Sequence, residues 1–336
     1  MNPIRRALCT AAPTLLTLSA LCAASASATA QEWPAKPIRI VVPYPAGGNA
    51  DSAARALAEV VSANLKQPVL VDNRPGASTI IGTEMVARAP ADGYTIGLVT
   101  DSHAINQALG RLPRGTEILG AKVPYDAVRD FVPISGVALV PLVLVVNPQV
   151  PARSVKELVQ LSQSRDRKGV NFGTMGTGSP WFVHMHQLRK LTGADLVDVP
   201  YKGLAPAATD LIGGQTDAMV MPLHFAQQYL KTNRLVPLAV LTKERHPLLP
   251  NVPTLAEAGY PGFEVTNYFF FVAPAGTPQP IVDRLGREVV AALRQPAMKD
   301  KFALTGDPYP AGPAEIAARL RRDIDGYGAV IEANVK

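Results

Sequence analysis

The stretch IRIVVPYPAGGNADSAARALAEVVSANL, residues 38–65, reads as strand, glycine turn and helix in 28 residues. Ile38, Ile40, Val41 and Val42 form a β-branched run suited to a buried strand, and Pro43, Pro45, Gly47 and Gly48 end it abruptly. Asn49 or Asp51 can cap the helix that follows. Its Ala54, Leu57, Ala58, Val61 and Leu65 recur at helical spacing and would press one face against a sheet. The N–H groups of Gly47, Gly48, Asn49 and the first helical turn then point outward at the positive end of the helix dipole, where a carboxylate or phosphate oxygen fits. The same unit also occurs in α/β proteins that bind nothing there. Asp51 would repel a second anion, so its carboxylate is expected to brace the turn or to pair with Arg55 one helical turn on.

Outward from this unit the grammar repeats. Strand 68–73, helix 81–89 and strand 94–100 complete a βαβαβ series, which implies a parallel sheet with right-handed crossovers. The loops 45–51, 74–79 and 100–103 then share the carboxyl edge of that sheet, where ligands bind in such folds. Residues 111–130 lose the periodicity and read as a surface insertion. The apolar run 137–148 is a strand interrupted by Pro141, which marks a crossing point.

The second half restarts with helix 154–164, strand 170–173 and loop TMGTGS, 174–179. A helix follows with Ser179 as cap and Pro180 at its first position, and Trp181, Met185 and Leu188 lie along one face of it. Strand 195–201, loop 202–206, a helix to residue 212, strand 216–221, helix 224–232 and strand 235–241 come next. Residues 265–276 read as a second crossing strand, and helices 278–293, 296–304 and 313–334 finish the chain on the first lobe. Two α/β lobes joined by two crossings, each with a glycine loop at a helix N-terminus, suggest a hinged clamp around a ligand.

The N-terminus reads as an export signal. Arg5 and Arg6 precede an apolar stretch, and Ala28, Thr29 and Ala30 set up cleavage after Ala30. Cys9 and Cys22 both fall inside this leader, so the expected mature chain has no disulfide, no thiol nucleophile and no Cys metal site. Leu21 argues against lipid attachment at Cys22. The leader holds two arginines and no acid, so the 33 Lys and Arg of the chain fall to 31 against 27 Asp and Glu. These basic residues are scattered, which disfavours nucleic acid. No uncharged apolar run of about 18 residues follows the leader, so residues 31–336 are expected to be an exported, soluble protein.

Several motifs are weaker than they look. The TMGTGS loop lacks the lysine of a phosphate loop and the order of a dinucleotide fingerprint, so no nucleotide or other cofactor is expected. It suits a neutral donor nest in which the Thr174, Thr177 and Ser179 hydroxyls and the N–H groups at Gly176 and Gly178 meet a carboxylate. Asp101, Ser102 and His103 are adjacent and cannot form a triad among themselves, and Ser179 lacks the flanking glycines of a nucleophile elbow, so no catalytic residue is assigned. His184 and His186 face different directions on their helix, while His224 and His246 are isolated; no metal site is expected, and surface or capping roles are the default. Tyr201 ends a strand at the presumed cleft and is expected to line it, with Lys202 beside it exposed.

Ten segments in register carry a resemblance over nearly the whole expected mature chain. They include WPAKPIRIVVPYPAGGNADSAARALAE, QPVLVDNRPGA, ADGYTI, HAIN, PYDAVRDFVPI, NFGTMGTGS, VPYKGLAPAATDLIGGQTD, VPTLAEAGYPGFE and VAPAGTP, and together they are similar to the Bug family, extracytoplasmic solute receptors of tripartite tricarboxylate transporters. The resemblance implies a type II periplasmic-binding-protein fold with residues 31–140 and 262–336 in one lobe and 141–261 in the other. It implies a periplasmic, monomeric receptor that holds a small organic carboxylate and delivers it to membrane permease subunits without catalysis. The ligand would be held by the loop after the first strand (Tyr44, Ala46, Gly47, Gly48, Asn49 and Asp51) and by the second lobe's glycine loop (Thr174, Gly176, Thr177, Gly178 and Ser179). Ser102, His103, Tyr201 and Tyr268 complete the expected site.

Three stretches depart from the family pattern: residues 110–123 are long, Asp101 stands where small polar residues are usual, and Asn267, Tyr268, Phe269 and Phe270 replace a Ser/Thr-Trp-Phe-Gly run. An aromatic lining of Tyr44, Tyr201, Tyr268 and Phe270 would suit an aromatic or longer dicarboxylate. Two other classes stay open: a secreted hydrolase or transferase using Ser102 or Ser179, and a sensory receptor that presents its ligand to a signalling partner.

Overall fold

In a computed structural model, which describes residues 33–165, 169–176, 179–262, 265–303 and 305–334, the opening stretch forms β1 (Ile38–Val42) and α1 (Asn49–Leu65). The expected leader and its cleavage site lie outside the described residues. Ala50, Ala53, Ala54, Leu57, Ala58, Val61 and Leu65 of α1 turn inward, as their spacing implies. The cap differs from expectation. Gly48 occupies that position with extended backbone and no side-chain bond, because Asp51 is drawn under the turn instead.

β2 (Val69–Asn73) and β3 (Thr95–Thr100) flank β1 in parallel, with Ile40 opposite Val71 and Ile96. Every residue of β3 is buried, which the fully apolar centre of a two-faced sheet requires. α2 (Ile80–Ala87) and α3 (Ser102–Gly110) follow β2 and β3. Residues 111–130 are more ordered than their sequence suggests. They contain α4 (Gly115–Leu119), and Leu119, Tyr125 and Ala127 join the core of this half.

The strand β4 (Phe131–Val146) runs through both halves of the molecule. Its residues from Phe131 to Pro141 pair antiparallel with β9 (Thr266–Pro274), and those from Leu142 to Val146 pair with β7 (Ala218–Pro222) and β8 (Val236–Val240). Pro141 is therefore where β4 changes partners. The sheet runs β2-β1-β3-β9-β4-β7-β5-β6, with β5 (Val170–Thr174) and β6 (Leu196–Pro200) at the far end. The short β10 (Asp307–Pro308) also pairs with β4.

In the second half α5 (Val155–Ser162) is capped by Ser154, α6 (Pro180–Thr192) by Ser179, and α7 (Leu204–Ile212) and α8 (Leu223–Leu230) follow β6 and β7. Of the closing helices, α9 (Gln279–Leu293) packs on α1 and β4, and α10 (Pro296–Lys301) is a single short turn run. α11 (Pro313–Asn334) packs on α3 but also touches α6, so it bridges both halves instead of finishing on the first alone.

The histidines are deeper than a surface default allows. His184 is fully buried, and His224 and His246 are neighbours that share Asp307, with His246 Nε2 3.1 Å from its carboxylate. His103 is buried against Tyr125 and Phe131 with Nε2 3.1 Å from the Ala127 carbonyl.

A Cβ at Gly82, in the first turn of α2, would lie 2.6 Å from the Arg74 carbonyl and 2.8 Å from Pro43 Cβ, so Gly82→Ala is expected to lower stability by about 1–3 kcal/mol; an unchanged thermal midpoint would contradict the contact. Burial, opposed by the Ala127 carbonyl and Asp126, pulls the His103 imidazole down to about 4. Between the ordinary histidine value and that point the unfolded chain binds a proton that the folded chain refuses, so stability falls as pH drops through the window. In denaturant titrations His103→Gln should lose less stability than the wild-type protein over this range, and equal losses would contradict a buried neutral ring.

Candidate ligand-binding site

A cavity of about 650 Å³ opens where the carboxyl ends of strands from both halves meet. Residues 44–50 and 100–102 line it from one side. Pro180, Trp181, residues 203–206, Pro222 and Phe225 line it from the other, with Val140, Asn267 and Phe269 between them. The convergence follows from β4: one strand serving both halves points two sets of loops at one edge.

Two helix starts face this cavity without a side-chain cap. α1 begins at Gly48 and α7 at Gly203, and neither cap residue has a side chain to occupy the first-turn N–H groups. Gly47 holds φ +82, a left-handed turn that favours glycine. Its N–H is spent on Asp51 Oδ2 at 2.9 Å, and Arg55 Nε donates to the same oxygen at 3.0 Å. Burial alone would raise the Asp51 carboxyl, but the bonds from Arg55 and Gly47 outweigh it and hold it below its ordinary value. Arg55 also reaches Asn73, which donates to the Tyr44 carbonyl. Asp51 thus braces the turn, while Gly48, Asn49 and Ala50 line the cavity.

Tyr44 OH lies 2.6 Å from Thr100 Oγ1, which also accepts the Ser102 N–H at 3.1 Å. Burial pushes the Tyr44 phenol well up, so it stays neutral. Asn267 turns its Oδ1 to His184 Nε2 at 2.9 Å. Trp181, Phe225 and Phe269 supply apolar surface. Among the described lining residues none is Lys, Arg or His, and Asp101 is the one acid.

Of the residues expected in the site, Tyr44, Ala46, Gly47, Gly48, Asn49 and Ser102 line the cavity. The others described do not. Asp51 lies under the turn, and His103 points into the core. Thr174 Oγ1 donates to Asp198 at 2.5 Å and accepts the Gly176 N–H, while Ser179 Oγ donates to the Gly176 carbonyl at 2.7 Å and caps α6. The glycine loop of the second half therefore spends these hydroxyls on its own fold. Thr177 and Gly178 lie outside the described residues. Tyr201 OH donates to Asp210 at 2.9 Å, and Tyr268 is fully buried, stacked on Phe270 with the Arg319 guanidinium 4.0 Å from its ring.

The second half contributes a different loop, 203–206, at the start of α7. The signal was visible: Gly203 precedes a helix with Pro206 in its first turn, the same strand, glycine and helix order as the opening stretch. Trp181 and Phe225 were harder to place, since an aromatic on an amphipathic helix reads equally as core. A wider groove of about 1060 Å³ lies at His224, His246 and Asp307, where His246 Nε2 is 3.1 Å and His224 Nε2 3.8 Å from the Asp307 carboxylate.

Residues 53–334 match the family described as the tripartite tricarboxylate transporter family receptor. The BugT protein of Bordetella pertussis is 35% identical over 309 residues, which cover 91% of this chain and 92% of that protein. Among solved structures, the periplasmic binding protein BugD superposes with a TM-score of 0.74 at 31% identity, covering 90% of this chain and 98% of that one. The R. palustris protein Rpa4515, solved with adipate, gives a TM-score of 0.76 at 33% identity, with 90% and 98% covered. Among the described residues no helix is long and apolar enough to cross a membrane. The chain belongs to the tripartite tricarboxylate transporter receptor family, and its fold is that of the periplasmic binding proteins in it.

Proposed function

We propose that this protein is a periplasmic receptor that captures a small organic carboxylate between two lobes and delivers it to the membrane permease subunits of a tripartite transporter. The observation that carries this reading is the pair of uncapped helix starts, at Gly48 and Gly203, that line one cavity with no cationic side chain among its described residues. Backbone N–H groups at the positive ends of two helices can hold a carboxylate at each end of a ligand without the desolvation cost of a buried lysine or arginine. The lobes correspond to residues 31–140 with 262–336 and to 141–261, and they close by hinging where β4 crosses at Pro141 and the chain returns into β9.

The span and lining of the cavity favour a dicarboxylate with an extended or aromatic body. Trp181, Phe225 and Phe269 provide the flat apolar surface that such a body needs. Adipate in the related R. palustris structure is an acid of this kind. A serine hydrolase is disfavoured by geometry, since no hydrogen bond joins Ser102 or Ser179 to a histidine among the described residues, and Ser179 is engaged as a helix cap.

Calorimetry with succinate, adipate and terephthalate is the test. One-site binding is expected, with adipate or terephthalate tighter than succinate and every ligand recovered unchanged. Equal or tighter binding of succinate would remove the extended-body assignment, and product formation that disappears in Ser179→Ala would replace the receptor reading with an enzyme. Trp181→Ala is expected to weaken the best ligand by roughly 1–3 kcal/mol through lost apolar contact; an unchanged affinity would take the α6 start out of the site.

A further inference from the structure

We propose that an anion entering this cavity is accompanied by a proton that Asp101 takes up, so that capture is proton-linked and Asp101 sets the charge state in which the ligand is held. The inference rests on the carboxylate reading above. Asp101 is only 2% exposed, its Oδ2 has no hydrogen-bond partner, and it is the single acid among the described lining residues, which include no cation. A carboxylate ligand would therefore bring a second negative charge to a low-dielectric space already holding one.

Hydrogen bonds to Asp101 from the Thr100 hydroxyl and the Ser102 N–H, together with the Arg319 charge, offset its burial only in part. On the cavity side stand Tyr44 and Thr100, both neutral, with the phenol of Tyr125 beyond them. From α11 come Arg319, Asp323 and Tyr327, and behind these lie Tyr268, under the Arg319 guanidinium, and His184, whose ring meets Tyr327 at 6.3 Å. Arg319 is already divided. Its Nε is 3.8 Å from Asp323 Oδ2 and its terminal nitrogen donates to the Thr266 carbonyl at 2.5 Å. Arg319 thus stands near two acids, the buried Asp101 and the half-buried Asp323, and Arg322 also acts on Asp323.

Burial first, and then the nearby Asp323, push the Asp101 carboxyl up to about 7, and burial likewise raises Asp323. A further anion in the cavity repels the ionised form again. The lower-energy state is a neutral Asp101, formed when its carboxylate accepts a proton from bulk solvent; no other bond forms or breaks. The resulting O–H is a donor, which suits it to face an anion that the ionised group would expel.

Adipate is the probe. Calorimetric titration near neutral pH in phosphate and in Tris should give heats that differ by the uptake of about half a proton or more, and affinity should fall roughly five- to tenfold between about pH 7 and pH 9. Asp101→Asn should bind adipate with buffer-independent heat and a flat pH profile. Wild-type binding with those same flat features would overturn this inference and leave the carboxylate reading standing. No saturable binding of adipate, succinate or terephthalate at any pH would overturn both. Should the variant not fold, the carboxyl carbon of Asp101 in the wild-type protein, followed by NMR, should titrate at higher pH with adipate than without it. A midpoint unmoved or lowered by adipate would overturn the proposal.

Discussion

β4 changes its hydrogen-bonding partner at Pro141, and the position of the cleft depends on that change. Before it the strand is held by β9, after it by β7 and β8. A proline has no N–H to offer a ladder, so a break in pairing costs least there. The apolar residues on either side, Val140 and Leu142, are buried in each half, which fixes the strand against slipping. Because one strand belongs to both halves, the loops after β1 and β3 and those after β6 and β7 are brought to a common edge. α11 reinforces the arrangement by packing on α3 and α6 together.

What gathers at that edge is a set of backbone donors and not a set of charges. The α1 turn shows how this is achieved. Asp51 satisfies Gly47 and is itself satisfied by Arg55, so the acid that could have blocked an anion is neutralised beneath the turn. The first amides of α1 remain for a ligand. α7 repeats the device with Gly203 and no brace of its own. Against this neutral frame Asp101 is the one acid among the described lining residues, and its Oδ2 has no hydrogen-bond partner.

The fold was legible because its signals are local and redundant. The β-branched run ended by Pro43 and the following glycines located β1, the alternation of strand and helix patterns located β3, β5 and β7, and Ser179 with Pro180 announced α6. Residues 111–130 were opaque for a physical reason: α4 is short, and Tyr125 and Ala127 are buried by tertiary contact with no periodic pattern to show it. The first half's share of the cavity lining was legible in Tyr44, Ala46, Gly47, Gly48 and Asn49. In the second half the sequence points to loop 174–179, whereas the lining comes from 203–206 with Pro180 and Trp181. Thr174 and Ser179 look like free donors in sequence, and only their partners, Asp198 and the Gly176 carbonyl, show that they are occupied. Tyr201 and Tyr268 stand outside the cavity lining for a related reason, since the end of a strand does not reveal which side an aromatic ring will take.

In the proposed receptor two uncapped helix starts hold the two ends of one acid. A crystal structure of the adipate complex is the decisive measurement. One carboxylate is expected within about 2.7–3.2 Å of the N–H groups of Gly48, Asn49 or Ala50 and the other at those of Gly203, Leu204 or Ala205, directly or through a bridging water. Adipate lying in the groove beside His224 and His246, or in the cavity with both carboxylates turned away from α1 and α7, would contradict it.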